Sequence, residues 1–96
     1  MDVLVTYDVN TETKAGRRRL RQVATTCKDF GQRVQFSVFE CRVNEAQYER
    51  LRERLLVILN KEQDSLRIYR LPVPREKFLE CYGRDSYVSF EDPLIL

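Results

Sequence analysis

Residues 32–43 read QRVQFSVFECRV, and this stretch carries two apolar alternations that one straight strand cannot place on a single face. Val34, Phe36 and Val38 share one parity, whereas Phe39, Cys41 and Val43 share the other. Strand side chains alternate sides with a period of two, so a slip of one residue sends a whole set to the opposite face. A turn, bulge or sharp bend is therefore needed near Ser37, giving two short strands or one strongly bent strand. No glycine or proline marks the break, so its position is only loosely fixed by the pattern.

Upstream, residues 2–9 (DVLVTYDV) place Val3, Val5, Tyr7 and Val9 at period two, with Leu4 and Thr6 also compatible with burial. This predicts a central strand covered on both faces. Asn10, Thr11, Glu12 and Thr13 form a polar loop in which either threonine could cap the next segment. From Lys14 to Phe30, Leu20, Val23, Ala24, Cys27 and Phe30 keep helical spacing, and Gly31 supplies a stop. Downstream, Asn44 with Gln47 three residues later is a capping-box pair, opening a helix with Tyr48, Leu51, Leu55, Ile58 and Leu59 on its buried stripe. Residues 64–71 (DSLRIYRL) read as a strand ended by Pro72 and Pro74.

The resulting order, strand, helix, one or two strands, helix, strand, predicts an α+β fold: a ferredoxin-like βαββαβ sandwich with two helices on one side of a small antiparallel sheet. With 96 residues the chain fits one domain, a core over about residues 1–74 and a C-terminal extension over 75–96. The extension holds Phe78, Leu79, Tyr82, Tyr87, Val88, Phe90, Leu94, Ile95 and Leu96, too apolar for a free tail. It calls for a surface, either the domain's own open sheet face or a partner's.

Composition narrows the chemistry. A hydrophobic fraction of 43% and a charged fraction of 33% fit a globular protein rather than a disordered one. No apolar run approaches the roughly 18 residues a membrane span requires, and the start of the chain is acidic rather than signal-like, so a cytoplasmic protein is expected. Three cysteines without C-x-x-C spacing suit a reducing compartment, and Cys27 and Cys41 fall on buried stripes as small apolar residues. There is no histidine, which removes Ser-His and Cys-His pairs and histidine metal ligands together.

Net charge is only +2, but residues 14–33 hold Lys14, Arg17, Arg18, Arg19, Arg21, Lys28 and Arg33 against Asp29 alone, a local charge of +6. Arginine outnumbers lysine 13 to 4, and guanidinium forks suit phosphate. The run is either an anion-binding surface or a solvated helix face. Positive charge at a helix N-terminus opposes the macrodipole, which an external anion would relieve.

Asp8 ends an apolar strand and precedes a polar loop, where a side chain is held rigidly and still reaches solvent. Two readings stand for it: a loop-capping carboxylate, or an oxygen ligand for Mg²⁺, which accepts one or two protein carboxylates and keeps several waters. One carboxylate per chain is sparse, and two-fold symmetry would bring a second. Tyr7 and Phe39 fit the core better than base stacking. Ser37 lacks a base but could touch a phosphate through its hydroxyl.

Taken together, Tyr7-Asp8-Val9 closing the first strand, the arginine-rich helix, Gly31, and Arg33-Val34-Gln35-Phe36-Ser37-Val38-Phe39-Glu40-Cys41 resemble the CRISPR-associated endonuclease two family. The resemblance covers about residues 1–74 and is most specific from Gly31 to Cys41; the proline-rich exit and short apolar tail resemble members from type I systems. It implies a ferredoxin-like homodimer whose last strand crosses onto the partner's sheet. It implies a metal-dependent endonuclease of CRISPR antiviral defence, cutting RNA or double-stranded DNA in spacer acquisition. Asp8 would bind Mg²⁺, or Mn²⁺ in its place, facing its symmetry mate. Arg17, Arg18, Arg19 and Arg33 would contact nucleic acid, and Tyr7, Ser37 and Phe39 would support the cleft. The alternative implied role is a non-catalytic dimeric DNA-binding scaffold for the CRISPR integrase. A ferredoxin-like acyl-phosphate hydrolase or small-molecule regulator would leave seven basic residues within twenty unexplained.

Overall fold

In the computed structural model, which describes residues 1–84, strand β1 (Asp2–Asp8) lies between two antiparallel neighbours. The chain continues through helix α1 (Lys14–Lys28), strands β2 (Gly31–Gln35) and β3 (Val38–Arg42), helix α2 (Glu45–Ile58), strand β4 (Ser65–Leu71) and a short 3₁₀ turn (Arg75–Lys77). The four-stranded antiparallel sheet has the order β2-β3-β1-β4, so the fold is ferredoxin-like.

Parity decides which side chains are inside. Val3, Val5 and Tyr7 of β1 share one core with Val23 and Cys27 of α1, Phe39 and Cys41 of β3, and Leu51 and Leu55 of α2, so both helices cover the same face. The other parity, Leu4, Thr6 and Asp8, pairs with Glu40 and Val38 on one side and with Tyr69, Arg67 and Ser65 on the other. Burying each large apolar side chain such as Phe39 or Leu51 contributes about 1.5–3 kcal/mol.

The break near Ser37 is real. Phe36 and Ser37 form the turn, and the pairing register shifts between Arg33 and Gln35 as a bulge. The second parity set, Phe39, Cys41 and Val43, is buried, while Phe36 is 75% exposed. The Asn44–Gln47 capping box forms reciprocally, both bonds at 2.8 Å. Thr13 caps α1 by accepting from the Gly16 amide at 3.0 Å.

Two expectations change, and one alternative is decided. The first helix ends at Lys28 with Asp29 as its cap, and Gly31 opens β2 instead of stopping the helix. Its small size matters because Glu40 and Cys41 of β3 pass where a Cβ would stand. The last strand begins at Ser65, leaving Asp64 outside it. The open sheet face is also partly covered by the chain's own extension, where buried Arg75 pairs with Glu40 at 3.2 Å and Arg42 bridges Asp2 at 2.9 Å and Glu76 at 3.7 Å. The expected strand exchange by the rest of the tail, Tyr87 to Leu96, falls outside the described residues. No helix among the described residues is long and apolar enough to cross a membrane.

The packing at Gly31 predicts that Gly31→Ala forces β2 off β3, costing about 1–3 kcal/mol as overpacking does. For a domain of this size that lowers the melting temperature by at least ~4 °C, read by thermal denaturation. An unchanged melting temperature would show that the strand pair is not tight there.

Candidate nucleic-acid interface

The β1–β4 ladder runs to its last rung at Asp8 and Ser65, and Asp8 is exposed there on the face away from the helices. The following residue, Val9, returns to the core. Asn10 then folds into an Asx turn, its side-chain oxygen accepting from the Glu12 amide at 2.9 Å. Gly16 in the first turn of α1 lies so close to the Asn10 carbonyl that a methyl group would not fit between them. The loop between Asp8 and α1 is therefore held from both ends.

Lys14, Arg17, Arg18 and Arg21 of α1 are exposed. They point in different directions. Arg17 donates to the Thr11 carbonyl at 3.2 Å, on the loop after Asp8. Arg18 and Arg21 line an open groove between the two helices with Glu53, Arg54 and Val57, in the layer across the sheet from Asp8.

Arg19 is committed inward. Its Nε donates to Asp64 Oδ2 at 2.8 Å and its Nη2 to Asp64 Oδ1 at 3.2 Å. Asp64 has no exposed side-chain surface, and the same two oxygens accept from the Asn60 amide and the Asn10 amide, each at 3.0 Å. Burial alone would raise the Asp64 carboxyl, but the Arg19 guanidinium and the two amides hold it below its ordinary value of 3.8.

The β2–β3 turn reaches the same end of the sheet, because the Ser37 carbonyl accepts from the Tyr7 amide at 3.2 Å. Ser37 thus meets β1 through its backbone. Tyr7 and Phe39 are core residues, with ring centroids 6.3 Å apart, on the helix side of the sheet rather than in an open cleft beside Asp8. The Arg33 guanidinium stacks over Phe39 at 5.1 Å and over Phe36 at 5.7 Å. Burial pushes the Tyr7 phenol up, with Arg33 beside it acting in the opposite sense.

Of the residues singled out in the sequence, the structure gathers Asp8, Arg17 and the Ser37 turn at one end of the sheet. It turns Arg18 to the helix layer, pairs Arg19 internally and packs Tyr7, Arg33 and Phe39 together beneath. Among the described residues, no three of His, Cys, Asp and Glu gather into a metal cluster, so one chain offers Asp8 as a single hard-oxygen ligand. Asp64 is not among the sequence candidates. The signal for it is a repeated pattern, Asn10-Thr11-Glu12 and Asn60-Lys61-Glu62, each an Asx turn whose first amide binds this carboxylate.

The family model of CRISPR associated protein Cas2 matches residues 1–77. The CRISPR-associated endoribonuclease Cas2 1 of Moorella thermoacetica is 58% identical over 96 residues, covering 100% of both chains. The CRISPR-associated endonuclease Cas2 of Halalkalibacterium halodurans is 47% identical over 95 residues, covering 99% of each chain. Among solved structures, the crystal structure of Streptococcus pyogenes Cas2 at pH 6.5 superposes with a TM-score of 0.78 at 53% identity, covering 86% of this chain and 100% of that one.

The depressed Asp64 carboxyl makes stability depend on pH. Its contribution is complete above the unfolded-state value near 3.8 and is lost as pH falls through the lower folded-state value. Asp2, lowered by its hydrogen bond from Arg42, acts in the same direction. Urea titrations at pH 7 and pH 3 should show Asp64→Asn less stable at pH 7 and losing less than wild type on acidification. Parallel losses in the two proteins would contradict the assignment.

Proposed function

This chain belongs to the CRISPR-associated Cas2 family, and on that premise we propose that it is an endonuclease of CRISPR defence that hydrolyses phosphodiesters at the Asp8 end of the sheet. The observation that carries this reading is the exposed Asp8 carboxylate on the last rung of the β1–β4 ladder, followed after a short loop by a helix that opens with Lys14, Arg17 and Arg18. The relatives' names, endoribonuclease and endonuclease, support RNA first and DNA second as substrate.

The working unit is a homodimer. One Asp8 per chain is a sparse cation site, and a second copy related by two-fold symmetry supplies a second carboxylate. The donor set suits Mg²⁺, with Mn²⁺ able to replace it, because these hard cations accept one or two carboxylates and otherwise keep water. When bound, the cation supplies Lewis-acid stabilisation of charge developing on the phosphodiester. The chain's own part is positional: the ladder fixes Asp8, and Lys14 and Arg17 hold the phosphate backbone without reading sequence. Arg33, held by its two rings, keeps a cation behind the β2–β3 turn.

A second reading rests on Arg18 and Arg21, which face the helix groove on the far side of the sheet from Asp8. Cations placed there bind backbone without taking part in cleavage, as a scaffold for the CRISPR integrase would require.

Both readings are separated by Asp8→Asn. Cleavage of a short single-stranded RNA and a duplex DNA is measured with Mg²⁺ or with EDTA, and the oligomeric state is followed by sedimentation at micromolar concentration. The enzyme reading predicts Mg²⁺-dependent cutting by a wild-type dimer and at least ~100-fold loss in Asp8→Asn, the scale of removing one electrostatic element of a site. Binding in EDTA and dimer mass should be unchanged. Equal cleavage in EDTA, or full activity in Asp8→Asn, would sink the metal mechanism; a wild-type chain that binds duplex DNA and cuts nothing would favour the scaffold; a monomer would sink the shared site.

A further inference from the structure

We propose that Asp64 and Arg19 are positioning residues for the Asp8 site, the Asp64 carboxylate locking the ladder end by binding the Asn10 amide, the Asn60 amide and the Arg19 guanidinium at once. The inference rests on the cleavage reading of Asp8 and names the residues that hold that carboxylate in place.

The geometry is unusually complete. Each oxygen of Asp64 accepts two hydrogen bonds, one from Arg19 and one from a backbone amide, at 2.8–3.2 Å. The four donors come from three segments, the loop after β1, the body of α1 and the loop before β4, the first two reaching Asp64 from far back in the sequence. Asp8 pairs with Ser65, and Asn10 is tied to Asp64, so the tie sits immediately beyond the last rung. Asp8 is thus pinned on one side by the ladder and on the other by a buried carboxylate. Two Asx turns present the amides, with Asn10 serving Glu12 and Asn60 serving Glu62 in the same way. The Gly16–Asn10 approach closes the corner from the helix side.

This arrangement also divides the arginine run. Arg17 and Arg18 are exposed, whereas the Arg19 side chain is 14% exposed with its fork on a fully buried carboxylate. Moving Arg19 to an outside phosphate would leave Asp64 as an uncompensated buried charge. Arg19 therefore serves the corner, and Arg17 serves the ligand.

The test compares wild type with Arg17→Ala, Arg19→Gln, Arg19→Lys, Asp64→Asn and the Arg19→Gln/Asp64→Asn pair. Binding to a short duplex DNA is titrated against salt in EDTA, and kcat and KM are measured on RNA with Mg²⁺. Arg17→Ala should reduce the magnitude of the salt slope by about 0.9, the loss of one phosphate contact, while Arg19→Gln leaves it unchanged. Arg19→Gln and Asp64→Asn should each lower kcat about tenfold to a hundredfold with KM nearly constant, as small misplacements do. The pair should lose no more than either alone, because both break one tie. If Asp64→Asn does not fold, Arg19→Lys, which keeps the charge and loses the fork, should still lower kcat at an unchanged slope. A slope reduced by Arg19→Gln as much as by Arg17→Ala would make Arg19 a phosphate ligand and overturn the proposal. So would folded Arg19 and Asp64 variants with wild-type kcat. A wild-type chain that cuts nothing would defeat the cleavage reading, and the positioning role with it, while an unchanged slope for Arg19→Gln would still uphold the internal tie.

Discussion

A carboxylate removed from water needs donors for both of its oxygens, and at Asp64 that requirement draws three separate pieces of chain into one corner. The loop that leaves β1, the helix after it and the loop that enters β4 all end their freedom at this side chain. Asp8 lies beside the corner at the end of the central strand β1, so its position depends on an interaction that it does not itself make. Arg19 is consumed in the tie, which leaves Lys14, Arg17, Arg18 and Arg21 as the exposed cations of α1's first half.

The sheet's parity then assigns the remaining roles. On β1, Tyr7 points to the helices and packs on Phe39, and its neighbour Asp8 must point the other way. Packing on one face thus fixes the direction of the acid on the other. Arg33 belongs to the packed side, stacked on the rings of Phe36 and Phe39, and steadies the turn whose Ser37 carbonyl meets the Tyr7 amide. The open face is governed by charge pairs instead. Glu40 with Arg75, and Arg42 with Glu76, bring the segment after β4 back across it.

Local signals in the sequence are legible because their physics is local. The parity conflict around Ser37 demands a break, Asn44 and Gln47 form their reciprocal cap, and Asp8 falls at a strand end. Gly31 reads as a helix stop for the same local reason, and its actual constraint, the close passage of Glu40 and Cys41, comes from a strand folded back on it. Asp64 reads as the first residue of a strand. Its partners Arg19 and Asn10 lie 45 and 54 residues away, beyond the reach of any periodicity. Arg17, Arg18 and Arg19 are chemically identical neighbours in sequence, and only helical geometry separates one that faces a loop, one that faces a groove and one that faces a buried acid.

The corner is tested most directly by amide hydrogen exchange at Asn10 and Asn60 in wild type and in Asp64→Asn. Both amides lie in loops, where exchange is ordinarily fast. In wild type both should be protected to nearly the level of the β1 and β3 amides, and the substitution should release the two together while the strand amides stay protected. Rapid exchange at Asn10 and Asn60 in the wild-type chain, or protection that survives Asp64→Asn, would contradict the Asp64 tie.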